Sequence, residues 1–306
     1  MIVSNSKYNW PAFESLLKSV VFKGGYNIPD ELCYIIMDFL RCELCFIDEP
    51  NYKWYIKATK MNKLNVMKAI PSWGYEIEHV NDLLFTACQS ENHNNIDLVK
   101  YLVEHGADVN AETKYERTPL HISCGSGNLA VIKYLIEQGS DIEAKGNSDI
   151  TPLHIVCGTG NLDVVKYLIE QGSDIEAKDI VNYTPLHFAC ESRNVDVIKY
   201  LVDQGSDVEV IDYDNKTPLH YACLFDILEA VKYFVKKGLD VNAMGCYRSI
   251  TPLHLACENG NLEMVKFLVD NGSDVNITDK YGRTPLHNAR ENGNLDVVKY
   301  LNDKYK

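Results

Sequence analysis

The tetrapeptide Thr-Pro-Leu-His begins at Thr118, Thr151, Thr184, Thr217, Thr251 and Thr284, at intervals of 33, 33, 33, 34 and 33 residues. A word repeated in register over such a distance rules out a single irregular globule. Each period must be one supersecondary unit that buries its apolar face against copies of itself.

The residues around the word describe that unit. Thr118 stands where a helix N-cap belongs, its hydroxyl able to satisfy an orphan backbone N–H. Pro119 follows at the first helical position, where its missing N–H costs nothing. This first helix is short and ends near Gly127-Asn128. A second runs through Leu129, Ile132, Leu135 and Ile136, which share one apolar face, and Gly139 stops it. The same stop recurs at Gly106, Gly172, Gly205, Gly238 and Gly272. A polar stretch then leads as an extended turn, here called a finger, to the next Thr.

The pattern TPLH…C…GNL…VKYL…GSDVN resembles the ankyrin repeat. That resemblance implies a mainly α solenoid of helix-turn-helix units, each with a β-hairpin finger and a period of about 33 residues. Six copies match closely. A seventh precedes them, with Asp82-Leu83-Leu84-Phe85 in place of the word, and residues 54–78 read as a still more degenerate copy. The expected organisation is an N-terminal helical segment over 1–50, a degenerate repeat over 51–80, and repeats over 81–306. The last repeat is expected to act as a cap, because Asn288, Arg290 and Asn302 place polar groups where sister repeats are apolar or carry cysteine. In the fingers, the ankyrin pattern Asp-x-x-Gly-x-Thr is complete only over Asp279–Thr284. Glu116 and Ser249, at the position of Gly282, predict less regular fingers.

Residues 1–50 leave the period. Phe13, Leu16, Leu17, Val20 and Val21 lie at helical spacing, and a second helix is predicted from Pro29, with Asp30 and Glu31 in its first turn. The run Ile28-Pro29-Asp30-Glu31-Leu32-x-x-Ile35-Ile36-x-x-Phe39-Leu40 resembles the start of an F-box. That resemblance implies docking of Pro29, Leu32, Ile35, Ile36 and Phe39 on the Skp-type adaptor of a cullin ubiquitin ligase, with the repeats holding a substrate. The rest of an F-box has no counterpart, since repeat-like sequence begins by Trp54. The alternative is an amphipathic helix pair that caps the solenoid.

Composition narrows the partners. The chain carries 30 Lys+Arg against 43 Asp+Glu, a net charge of −13, which disfavours nucleic acid. No apolar run is long enough to cross a membrane, and the N-terminus lacks the pattern of a signal peptide. The expected setting is intracellular and cytoplasmic, the host cytoplasm if the source is a virus or an intracellular bacterium.

Nine histidines and ten cysteines invite a metal or catalytic reading. Six of the histidines belong to the repeated word, however, and Cys88, Cys124, Cys157, Cys190, Cys223 and Cys257 recur with the period, as structural residues do. Cys42 and Cys45 have the spacing of half a zinc site, but no second pair follows. Cys246 alone falls in a finger. No phosphate-binding loop, nucleophile elbow or zinc-protease motif occurs. No enzyme activity, metal or cofactor is expected.

What remains is a protein-binding scaffold. The resemblance implies contact through the fingers and the concave face of the first helices. Tyr115, Tyr183, Tyr213, Tyr247 and Tyr281 all fall in fingers, and tyrosine is enriched among interface hot spots. In the repeat at Thr217, Leu224, Phe225 and Ile227 stand where sister repeats carry polar or small residues, so an exposed apolar cluster is predicted there.

Overall fold

The structure, a computed structural model, describes residues 55–304 apart from 57, 66, 69–76, 78, 91–94, 246 and 247. The F-box-like residues Pro29 to Phe39, together with Cys42, Cys45, Cys246 and Tyr247, lie outside the described residues. The chain divides into two compact units, Met1–Ala107 and Asp108–Lys306.

The first unit contains α1 (Val80–Cys88) and α2 (Ile96–Glu104), which pack together. Leu83, Leu84, Ala87, Leu98, Val99 and Leu102 are buried, and Tyr55, Ala58 and Met67 are buried in the helical stretches that precede α1. Asn95 donates its side-chain amide to the carbonyl of Ala87 at 2.6 Å. Without Thr-Pro to fix a start, α1 begins at Val80, upstream of the Asp82 position that aligns with the repeated threonine.

The second unit is a stack of helix pairs. These are α3 (Pro119–Ser126) with α4 (Leu129–Glu137), α5 (Pro152–Thr159) with α6 (Leu162–Glu170), and α7 (Pro185–Glu191) with α8 (Val195–Asp203). They continue as α9 (Pro218–Leu224) with α10 (Leu228–Lys236), α11 (Pro252–Asn259) with α12 (Leu262–Asp270), and α13 (Pro285–Glu291) with α14 (Leu295–Lys304). First helices pack on first helices and second on second, so the fold is mainly α, as expected. One continuous core runs through the pairs, built from Leu120, Leu153, Leu186, Leu219 and Leu253 and the aliphatic faces of the second helices. Cys124, Cys157, Cys190, Cys223 and Cys257 are fully buried in it as free thiols, and burial pushes the Cys257 thiol up to about 12. They act as small hydrophobes.

Two hydrogen bonds recur along the stack and tie helix pairs to their neighbours, although His187 Nε2 is buried without a partner. The first uses the histidine of the repeated word. The Thr118 backbone N–H donates to His121 Nδ1 at 3.2 Å, and the Thr118 hydroxyl contacts the same nitrogen at 2.9 Å. Nε2 is left to donate, and it meets the Ile150 carbonyl of the next finger at 3.0 Å. His154, His220 and His254 do the same to the carbonyls of Tyr183, Ile250 and Arg283. The second tie runs backwards. Asn161 and Asn194 cap their own second helices through Oδ1, and their Nδ2 donates to the carbonyls of Gly127 and Gly160 in the preceding turn.

The fingers differ from the expected hairpins. Among the described residues the only β-bridge outside a helix is Gly245 with Ile250; the other fingers close as turns. Asp179, Asp212 and Asp279 donate their N–H to the carbonyls of Tyr183, Lys216 and Arg283. These carboxylates are buried and accept from backbone N–H groups across the turn. A finger this short has room for one closing bond and no ladder. Adjacent fingers join by single bonds: Ile180 N to Ser148 O at 3.1 Å, Tyr213 N to Val181 O at 3.2 Å, and Lys280 N to Arg248 O at 2.9 Å. Glu116 and Ser249 both adopt the left-handed conformation, at φ 58° and 52°. The Glu116 finger still closes, Thr113 N to Arg117 O at 3.0 Å, whereas the longer 245–250 finger forms the bridge and the 146–150 finger a 3-10 turn with Ser148 and Asp149 both left-handed. In the last repeat Arg290 donates to Asn302 Oδ1 at 3.2 Å, whereas Asn288 is buried instead of exposed.

Between the pairs α7–α8 and α9–α10 a third tie is added. Tyr221 donates its hydroxyl to Asp212 Oδ2 at 2.6 Å and shares a hydrogen bond with the hydroxyl of Tyr183. Tyr221 and Asp212 are both buried. Burial, and then the bond to the Asp212 carboxylate, raise the pKa of Tyr221. Removing the Tyr221 donor leaves a buried carboxylate oxygen unpaired, at a cost of roughly 1–3 kcal/mol. Tyr221→Phe is therefore expected to lower the unfolding free energy by that amount, and Tyr183→Phe, which spares the bond to Asp212, by less; denaturant melts of both variants check the order.

The histidine bridge works only with a neutral ring, because a proton on Nδ1 would face the threonine N–H. Desolvation lowers the pKa of His121, His154, His187, His220 and His254, reaching about 4 for His187 and His220 against an ordinary 6.5. The unfolded chain binds these protons first. The stabilisation is thus complete above pH 6.5 and is lost as pH falls towards about 4, on the order of 3 kcal/mol for each of those two rings. The melting temperature is expected to fall steeply across that window and less steeply in His220→Gln; equal slopes would exclude the neutral bridge.

Candidate protein-binding surface

The fingers and the first helices share one side of each repeat, because finger residues pack on them. Tyr183 stacks on His187 with ring centroids 5.3 Å apart and meets Phe188 and Tyr221 edge-on at 6.3 and 5.5 Å. Tyr221 in turn stacks on Phe225 at 6.1 Å, with the Arg193 guanidinium 5.9 Å from the Phe225 centroid. An aromatic string thus crosses from the fingers to the far end of the first helices. It is closed chemically: His187 is buried, and both oxygens of Asp212 are occupied by the Tyr221 hydroxyl and the Lys216 N–H.

The structure separates the residues picked out from sequence. Tyr213 and Tyr281 are each 64% exposed and Tyr115 57%, so these three rings stand out from their fingers. Tyr183 does not; it is half-buried and held by the aromatic string. The predicted exposed cluster at Leu224, Phe225 and Ile227 is corrected. Leu224 is exposed, Phe225 is half-buried against the core, and Ile227 is only 8% exposed and part of it. The reason lies in the turn. Asp226 takes the left-handed position that glycine fills in sister repeats, and Ile227 replaces the asparagine that caps the second helix. That position is inward-facing in any case, since Asn128 is also buried there.

Sequence reasoning missed an aliphatic row on the central fingers. Ile180 is 55% exposed, and Val181, Ile211 and Met244 are exposed with it. The signal was available: Lys114, Asn147 and Lys280 occupy the register of Ile180, and Glu112, Lys145 and Lys178 that of Ile211. The bond from Tyr213 N to Val181 O sets Ile180 and Val181 beside Tyr213, so the row is continuous across two fingers.

Charge is divided between the two sides. All five arginines of the second unit (Arg117, Arg193, Arg248, Arg283 and Arg290) lie in fingers, in a first helix or in the turn that follows one. The second helices carry lysine alone as their basic residue. Among the described residues no group of three or more histidine, cysteine or acidic side chains is arranged to hold a metal ion. None of the described helices is long and apolar enough to cross a membrane.

A family model described as ankyrin repeats (3 copies) matches residues 55–146, 84–179, 153–245 and 245–306. Among solved structures, the human ASB11 ankyrin repeat domain is similar at a TM-score of 0.60 and 27% identity, covering 67% of this chain and 90% of that one. No curated protein matches the chain by sequence. Ankyrin repeats are in general protein–protein interaction modules without catalytic activity of their own, and they indicate a protein partner. With a matched stretch running from residue 55 to residue 306, this chain belongs to the ankyrin-repeat family.

Proposed function

We propose that the chain is a non-catalytic scaffold that holds a partner protein across its fingers and first helices. The observation that carries this reading is the exposed apolar row Ile180, Val181, Ile211 and Tyr213 on bonded fingers. Large side chains left in water side by side mark an interaction site more often than chance exposure does. Tyr115, Leu224, Phe225 and Tyr281 extend the same side, and Tyr247 belongs to it by sequence. Tyr183 and Ile227 support the surface from beneath. The test is crosslinked capture from cell lysate with the full chain. Partners kept by the second-helix variant Asp163→Asn are expected to fall about tenfold with Ile180→Ser/Tyr213→Ala. Equal capture by the two variants would refute the finger site.

A second reading rests on the run Ile28 to Leu40. In it residues 1–50 are a handle for a Skp-type adaptor of a cullin ubiquitin ligase, held through Pro29, Leu32, Ile35, Ile36 and Phe39, and the repeats hold the substrate. Co-purification with a eukaryotic Skp-type adaptor tests it. Capture abolished by Leu32→Glu/Ile36→Glu, in a variant that melts like the parent, is the expected result. No capture, with an early-melting variant, would make the segment a cap.

A further inference from the structure

The acid-rich chain leaves particular cations without an acid. On the second helices Lys232 pairs with Glu229 at 2.8 Å, Lys266 with Glu263 at 3.0 Å and Lys304 with Asp270 at 2.6 Å. On the finger side, Arg117, Arg193, Arg248 and Lys280 have no ion pair among the described residues.

Two of these four converge on one exposed ring. Tyr281 has the Lys280 ammonium 5.1 Å from its centroid and the Arg248 guanidinium at 5.8 Å. The Arg283 guanidinium lies at 5.4 Å, fixed by Asp279 at 2.8 Å and Glu291 at 3.2 Å. The bond from Lys280 N to Arg248 O joins the two fingers, so the cluster is part of the framework. Arg248 Nε is buried with no partner. Asp279 is buried and accepts from Arg283 and the turn N–H groups, and neither Arg248 nor Lys280 is paired with it. A guanidinium and an ammonium beside an exposed aromatic ring can take a carboxylate by charge-assisted hydrogen bonds while the ring covers the adjoining apolar side chain.

The geometry points to an acidic peptide segment of the partner protein as the occupant of this cluster, with glutamate or aspartate on Arg248 and Lys280 and an apolar neighbour on Tyr281. This deepens the scaffold reading above and rests on it. A phosphate backbone would also answer to cations. The net charge of −13 and the acidic second helices repel an extended polyanion, whereas a short segment meets only the local cluster.

The test uses the full chain and fluorescence anisotropy with three labelled probes: a short peptide alternating glutamate and leucine, the same peptide with glutamine for glutamate, and oligothymidine. The glutamate peptide is expected to bind about tenfold more tightly than the glutamine one and to weaken with added salt. Arg248→Gln/Lys280→Gln is expected to abolish that preference. Lys232→Gln/Lys266→Gln, which removes equal charge from the second helices, is expected to leave it intact, and Tyr281→Ala to weaken both peptides. All variants are first matched to the parent by thermal melt, and Tyr281→Ala, whose ring is mostly exposed, serves if the double variant melts early. Equal binding of the two peptides, no peptide binding, equal loss in the second-helix control, or preference for oligothymidine would each overturn the inference. The Ile180/Tyr213 capture experiment judges the scaffold reading separately, so failure of one is distinguishable from failure of the other.

Discussion

The neutral imidazole that His121, His154, His220 and His254 hold between an N-cap threonine and the next finger's carbonyl is the contact around which residues 108–304 are organised. It fixes three things together: the start of a first helix, the tautomer of the ring, and the distance to the following repeat. Because Nδ1 is committed to the threonine, Nε2 must carry the proton, and the only acceptor within reach belongs to the neighbour. Local capping and long-range stacking are therefore one interaction.

With the stack fixed in this way, the two sides of each repeat are free to diverge. The second helices keep a solvated surface on which exposed pairs such as Lys232–Glu229 and Lys266–Glu263 contribute little to stability. The fingers are tied to the stack by backbone bonds and buried aspartates, so their outward side chains carry no structural duty. Those are the positions where Ile180, Tyr213, Tyr281 and Arg248 appear, and they make up the proposed interface.

Much of this could be read from the chain. Threonine, proline and glycine announced the helix ends because each has one local backbone job, and the period carried the fold. Side-chain direction was harder. Ile227 looked exposed because asparagine at that site suggests water, whereas the asparagines there turn inward to cap a helix, Asn128 being buried and Asn161, Asn194 and Asn261 partly so. Tyr183 could not be told from Tyr213 by type; the ring next to its threonine folds back on its own helix, whereas the one four residues before its threonine stands out. The hairpins were overestimated, because resemblance supplies a strand pair where a short turn closes with one bond. Ile180 and Ile211 were passed over because aliphatic residues are unremarkable singly and tell only when aligned with their polar sisters.

The hydrogen-bonded trio of Tyr183, Tyr221 and Asp212 has a kinetic meaning. It welds the finger before α7 to the finger and helix of the following repeat, at the middle of the exposed row. A template so stiffened loses little conformational entropy on association and does not reshape itself around a poorly matched ligand. Discrimination between partners would then reside in how long each stays rather than in how fast each arrives.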